Sequence, residues 1–227
     1  MIAKPYVAID GPAGAGKSTV ARTLAKKLGF IYIDTGAMYR AVTLMALREG
    51  IDLQDQDALS QLARAVSIEL LPDQNGGLRV LLNGDDVSED IRSQQVSQNV
   101  SLVAMAPGVR KRLVELQRAM AARGGVVMEG RDIGTVVLPE APVKIFLTAS
   151  YQERARRRRE ELAVKGDIIA QEQMEKEIMI RDQLDSTRAA DPLTQAADAV
   201  PIDSTSFSVN EVVDLIMARV TAEEERS

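Results

Sequence analysis

Between Gly11 and Thr19 the chain reads Gly-Pro-Ala-Gly-Ala-Gly-Lys-Ser-Thr, a match to the spacing G-x-x-x-x-G-K-[ST]. Gly11, Gly14 and Gly16 admit backbone conformations closed to other residues, so amide groups can converge on phosphate oxygens. Pro12, Ala13 and Ala15 complete the loop. Lys17 supplies a full positive charge to the β- and γ-phosphates, and Ser18 a hydroxyl for Mg²⁺, with Thr19 beside it. Such a loop works only between a strand and a helix N-terminus. Both are present, because the apolar run Tyr6-Val7-Ala8-Ile9 ends at Asp10 and a helical pattern continues to Leu28. Residues 11–19 are therefore a candidate nucleoside triphosphate cradle.

Composition narrows what this cradle can serve. The chain has 227 residues, no histidine and no cysteine. That removes the commonest general base, thiolate metal sites and cysteine nucleophiles. Catalysis must run on Lys, Arg, carboxylates, backbone amides and a bound metal. Phosphoryl transfer to an acceptor that is already ionised fits, since it needs positioning and charge neutralisation more than proton abstraction. A net charge of −5 gives no global field toward nucleic acid or membrane, so any anion site is built locally. No signal-like segment opens the sequence, and no apolar run approaches the ~18 residues of a bilayer span. A cytoplasmic protein is expected.

The elements that position the cradle follow from the apolar runs. Phe30-Ile31-Tyr32-Ile33 ends at Asp34, and Thr35-Gly36 opens a helix to about Glu49. Residues 52–66 read as a short amphipathic helix, and residues 67–71 and 78–82 as strands of a hairpin turning at Asn75-Gly76. Asn83 to Asp86 makes another turn, and Ser88-Glu89-Asp90 starts a polar helix. Pro107-Gly108 restarts the regular pattern with a helix over residues 109–123. Val126-Val127-Met128-Glu129 is a buried strand leading into Gly130 to Gly134, and residues 142–148 are a fourth. A helix over residues 150–165, then Gly166-Asp167 and another helix to about 189 precede a last strand at Val200 to Asp203 and a last helix over residues 208–224. Five short apolar strands alternating with helices predict an α/β fold, a doubly wound five-stranded parallel sheet flanked by helices. Ligands in such sheets sit at the carboxyl ends of strands. Asp10-Gly11, Asp34-Thr35, Glu129 to Asp132 and Asp203-Ser204 should then face one cleft.

These stretches together resemble the bacterial cytidylate kinases, the CMP and dCMP kinases among the P-loop nucleoside monophosphate kinases. The likeness spans residues 6–205. Beyond the phosphate loop it rests on Asp34-Thr35-Gly36-Ala37-Met38-Tyr39-Arg40, Gly130-Arg131-Asp132-Ile133-Gly134-Thr135-Val136-Val137 and Pro142 to Leu147. Glu153-Arg154-Ala155 with its arginine run, Arg181-Asp182, Asp185 to Arg188 and Asp203-Ser204-Thr205 complete it. The resemblance implies one kinase domain, with a core of residues 1–65 and 107–227. It further implies a nucleoside-monophosphate-binding insert over about 66–106 and a helical lid over about 150–168. The implied reaction is ATP plus CMP or dCMP giving ADP plus CDP or dCDP with Mg²⁺. A monomer with no nucleic-acid or membrane partner is expected.

The resemblance also assigns residues. Thr35, Tyr39 and Arg40 fall to the acceptor nucleotide, with Thr35 and Arg40 on its phosphate, where a guanidinium grips in two-pronged fashion. Arg131 falls to phosphate, Asp132, Ser101 and Arg110 to the base, Arg181 and Arg188 to phosphates, and Asp185 to the sugar. A donor on N3 with acceptors for the cytosine amine would leave uracil with unpaired polar groups, a mismatch worth ~10⁴-fold. Read from spacing alone, Ser101 and Arg110 are ordinary polar helix residues, and Arg181, Asp185 and Arg188 share one helix face as a possible ion pair.

In the run Arg154 to Arg159, the pairs Glu153–Arg157, Arg156–Glu160 and Arg157–Glu161 are spaced i,i+4, whereas Arg154, Arg158 and Arg159 lack such a partner. Arg154 and Arg158 are the candidates, with Lys17, to stabilise the transferring phosphoryl. Glu129 stands where the family often has Asp; it or Asp34 would orient the metal or its water, and Asp10 would cap the phosphate loop. The rival readings are another P-loop kinase, for AMP, UMP, shikimate or gluconate, and a nucleotide-driven switch or motor. The switch would need an N-K-x-D guanine motif, which the sequence lacks.

Overall fold

The computed structural model describes residues 5–73, 77–164, 166 and 168–225. Five strands form a parallel sheet: β1 (Tyr6–Asp10), β2 (Ile31–Asp34), and three later strands, β6 (Val126–Gly130), β7 (Val143–Thr148) and β8 (Val200–Asp203). Their order is β2-β6-β1-β7-β8, which puts β1 and its loop in the centre. Alternation along β1 shows why these runs are apolar without a break. Val7 and Ile9 face one cluster with Val127, Ile145 and Leu147, while Ala8 faces another with Ile33, Met128 and Ile133. Both faces are covered by helices, as parallel sheets require.

Helix α1 (Lys17–Leu28) leaves the phosphate loop and packs on the first face beside α8 (Val209–Glu224). Helix α5 (Pro107–Ala121) contributes Val114 and Ala121 to the second face. Helix α2 (Thr35–Arg48), α3 (Gln56–Ala65) and α4 (Gln94–Val103) build a separate apolar cluster with a small antiparallel sheet. That sheet contains β3 (Ile68–Pro72), β4 (Leu78–Leu82) and the two-residue β5 (Asp85–Asp86). Helices α6 (Tyr151–Ala163) and α7 (Gln171–Thr187) pair through Ala155, Leu162, Met174 and Ile178. Among the described residues no helix is long and apolar enough to cross a membrane.

Several expected boundaries move, each for a local reason. Helix α3 starts at Gln56 because the Asp55 carboxylate accepts from the amides of Asp57 and Ala58. The polar helix expected from Ser88 is only a 3₁₀ turn, Asp90–Arg92, and Ser93 caps the true helix α4. Pro107 sits at the first turn of α5 rather than before it. Asn83-Gly84 is a turn with both φ positive, but Asp85 and Asp86 continue into β5. Helix α7, expected to run to about 189, ends at Thr187, and Arg188 is already extended. The Asn75-Gly76 turn, and Asp167, lie outside the described residues.

Candidate active site

The carboxyl ends of β1, β2 and β6 open into one cleft of about 960 Å³ between the phosphate loop, α4 and the α6–α7 pair. Asp34, Thr35, Glu129, Arg131, Asp132 and Ser204 line it, as the strand-end rule requires. Asp10 does not line the cleft; its two carboxylate oxygens accept from the amides of Ile133 (2.8 Å) and Gly134 (2.7 Å). It thus caps the single π turn Ile133–Val137 that follows β6, not the phosphate loop. Burial outweighs those two bonds and raises its pKa to about 6.

The loop itself is forced by backbone geometry. Gly11 has φ +149°, and a Cβ there would stand 1.9 Å from the Leu147 carbonyl oxygen of β7. A Cβ at Gly14 would press on the backbone of Arg154 at 3.0 Å. Lys17 is buried and donates to the Pro12 carbonyl at 2.7 Å, whereas Ser18 and Thr19 are exposed at the start of α1. Burial and the nearby Arg131 lower the Lys17 pKa to about 7. Across from it lie two carboxylates. Tyr32 donates to Glu129 at 2.8 Å, the Ser18 hydroxyl bonds the same side chain, and Asp34 stands close enough to repel it. Burial and that repulsion push the Glu129 pKa up. Asp34 also caps α2 through Ala37 and pairs with Arg40 at 2.8 Å.

The opposite half of the cleft is a lattice of arginines and carboxylates. Thr35 donates to the Glu129 carbonyl at 2.7 Å, fixing α2 against β6. Asp185 on α7 accepts from Ser101 at 3.1 Å and from Arg131 at 2.8 Å. Burial works against that carboxylate, but Arg131 and Arg181 outweigh it and hold its pKa below the usual range. Arg110, 1% exposed, donates to Asp132 and, at 2.9 Å, to Asp191, and its guanidinium lies 5.6 Å over the Tyr39 ring. Arg188 donates to the Asp191 carbonyl and stands 3.7 Å from Asp132. Burial raises the Asp132 pKa despite Arg110 and Arg188. Arg181 differs from its neighbours. Its Nε is buried with no hydrogen-bond partner among the described residues, and burial with Arg131 lowers its pKa to about 10. Arg40 Nε is left in the same condition. Buried guanidinium donors without partners are what an anion would satisfy.

The arginine run divides. Arg154, expected to reach the transferring phosphoryl, is 3% exposed and spends its donors on Ala149 O (3.0 Å), Ala13 O (2.8 Å) and Asp182 (2.6 Å). It buttresses the phosphate loop from behind. Arg157 pairs with Glu153 and bonds Ala15 O and Ser204, so the expected Arg157–Glu161 pair does not form. Glu161 pairs with Arg158 instead, whose other arm reaches Ser97 on α4 at 3.4 Å, across the mouth of the cleft. Arg159 bonds Ile169 O and Gln171, and Arg156–Glu160 forms as expected. Three residues to which the sequence reading assigned no ligand also hold side chains here: Asp182, Asp191 and Ser204, the last expected only to face the cleft. Asp191 carried a faint signal, lying just after a helix end and before Pro192.

The family model for cytidylate kinase matches residues 7–222. A cytidylate kinase of Pelotomaculum thermopropionicum (strain DSM 13744 / JCM 10971 / SI) is 66% identical over 218 residues, covering 96% of each chain. One of Geobacillus kaustophilus (strain HTA426) is 57% identical, covering 93% of this chain and 94% of that one. In fold alone, the chain is similar to a gluconokinase from Sinorhizobium meliloti 1021, with TM-score 0.50 and 16% identity over 100% of this chain and 96% of the other. Matched over nearly its whole length, the chain belongs to the cytidylate kinase family and is a nucleoside monophosphate kinase.

Proposed function

We propose that the protein transfers the γ-phosphoryl group of ATP to CMP and dCMP, with Mg²⁺, as a cytoplasmic monomer without nucleic-acid or membrane partners. The observation that carries this reading is the arginine–carboxylate lattice facing the phosphate loop across one cleft. Residues 11–19 hold ATP. Thr35, Arg40, Arg131, Arg181 and Arg188 take the acceptor's phosphate, and the unpartnered Nε atoms of Arg40 and Arg181 favour that assignment. Asp185 takes the sugar. Tyr39, Ser101, Arg110 and Asp132 take the base, because a guanidinium and a carboxylate held side by side offer a donor to N3 and an acceptor to the exocyclic amine of cytosine. Uracil reverses both demands.

An oxygen of the acceptor phosphate attacks the γ-phosphorus, the bond to the β,γ-bridging oxygen breaks, and ADP leaves with that electron pair. The attacking oxygen is already ionised, so the missing histidine leaves no step unserved. Lys17, whose lowered pKa an approaching triphosphate would restore, spreads over the charge that develops between the phosphates. Arg158 is the lid arginine we assign to that charge, since Arg154 and Arg157 are occupied by the loop. Residues 66–106 serve as the acceptor-side insert and 150–168 as the lid. The oxygen-only set of Ser18, Glu129 and Asp34 suits Mg²⁺, a hard cation that keeps several waters and shares one or two carboxylates with substrate phosphates. When bound, the ion would neutralise phosphate charge.

The test is ADP formation from ATP·Mg²⁺ with CMP, dCMP, UMP, AMP and GMP in parallel. Turnover with CMP and dCMP far above the others is the expected result. Equal turnover with UMP would overturn the base assignment, and none with any nucleotide the kinase reading.

A further inference from the structure

Asp182 performs no step of the reaction above, yet it occupies a closed triangle. Its Oδ1 accepts from the Ala13 amide of the phosphate loop at 3.1 Å, and its Oδ2 accepts from Arg154 Nη1 at 2.6 Å. The same Nη1 donates to the Ala13 carbonyl at 2.8 Å. Both peptide groups that flank Ala13 are thus fixed, one by a side chain from α7 and one by a side chain from α6. The pair is buried, with Asp182 9% and Arg154 3% exposed, so neither is a surface ion pair of little consequence.

The neighbours of Asp182 on α7 give the triangle its meaning. Arg181, one residue before it, has its Nε free of any described partner in the acceptor half of the cleft. Asp185, three residues after, carries both Ser101 and Arg131. A single helix therefore grips the donor loop through Asp182 and the acceptor lattice through Asp185, with Arg181 lining the same cleft. A shift of α7 on seating an acceptor phosphate must move the carboxylate that holds Ala13.

We propose that Asp182 is a positioning residue that couples the two nucleotide sites, so that each bound substrate sets the geometry of the other's cradle. This rests on the assignment of the acceptor nucleotide to the α7 side of the cleft. Coupling of this kind is reciprocal and spans about 5- to 150-fold in affinity.

The experiment measures binding of a non-transferable ATP analogue by calorimetry, with and without saturating CMP, in wild type, Asp182→Asn and Gln183→Ala. Gln183 is exposed on the same helix and serves as the control. In wild type and Gln183→Ala, CMP is expected to tighten analogue binding several-fold. In Asp182→Asn the analogue alone should bind roughly tenfold more weakly, from loss of a charge-assisted contact. The factor contributed by CMP should fall toward one, while CMP binding alone changes less than about twofold. Should Asp182→Asn fold poorly, Asp182→Asn/Arg154→Met leaves no buried charge unpaired and carries the same expectation. A variant that keeps the wild-type CMP factor, or a wild type whose factor is already one, overturns the coupling role while CMP turnover stands. A wild type that neither binds nor phosphorylates CMP overturns the functional reading, and the inference with it.

Discussion

Lys17 shows how the site handles charge before a substrate arrives. The unfolded chain keeps its proton to about pH 10.5, the empty folded site only to about 7. Between those values the unfolded state binds more protons, so this group makes the empty protein more stable as pH rises; below about 7 its burial penalty is fully present. On the proposed reading, a bound triphosphate would restore the charge. ATP titrated at pH 8 without divalent metal should therefore take up about one proton, read as a binding enthalpy that depends on the buffer's ionisation enthalpy. Identical enthalpies in all buffers would refute this. Lys17→Ala should abolish the uptake and lower kcat by about 10²- to 10³-fold or more, with thermal stability unchanged or raised. Asp132 is a different case, because its partner is buried with it. Asp132→Ala should cost about 3–5 kcal/mol in urea unfolding by stranding Arg110, and should shrink the ratio of kcat/KM for CMP over UMP. A variant that loses stability but keeps the ratio would remove Asp132 from base recognition. Both residues were legible in the sequence. The pairings of Asp191 and Asp182 were not, because Arg110 lies 81 residues from the one and Ala13 169 residues from the other, and the Pro192 beside Asp191 marks only a helix end.

At the level of elements, what the sequence disclosed follows from what burial does to it. The parallel strands are wrapped on both faces, so β1, β6 and β7 are short and largely apolar, with polar residues gathered at the strand ends apart from Lys144 in β7. Helix ends are set by single capping side chains such as Asp55 and Ser93, and the π turn after β6 depends on Asp10, over 120 residues away. Glycine marks both kinds of constraint, and two of them separate. Gly29 ends α1 at φ +63° with open space around a would-be Cβ, so Gly29→Ala should cost only the left-handed backbone penalty, about 1–2 kcal/mol. Gly11 combines φ +149° with the Leu147 carbonyl 1.9 Å from its missing Cβ. Gly11→Ala must push β1 and β7 apart at the centre of the sheet, at a cost of at least about 3 kcal/mol. Urea unfolding of the two variants decides it; similar losses would mean that the loop yields where the close approach says it does not.

Over the whole molecule, a net charge of −5 surrounds a cleft crowded with guanidinium groups. Most are already answered by carboxylates, some on their own helix and some on distant elements, so the field left for a ligand is narrow and set by Arg40 and Arg181, the cleft arginines whose buried Nε has no partner among the described residues. Holding an under-paired buried guanidinium destabilises the empty protein, and an anion relieves it. On the proposed reading, the acceptor phosphate, more than the base, should be the source of stabilisation on binding. CMP at one hundred times its Kd should stabilise the fold by about 2.7 kcal/mol. For a chain of this length that raises Tm by roughly 5–10 °C. Cytidine at the same concentration, lacking the phosphate, should raise it by less than about 2 °C. Arg181→Met provides the opposite sign in one measurement: a higher Tm without ligand, because a buried charge is gone, and a much smaller rise with CMP. If cytidine matched CMP, or if Arg181→Met lowered the ligand-free Tm while keeping the CMP shift, the unspent guanidinium would be a structural member of the lattice and not the phosphate's seat.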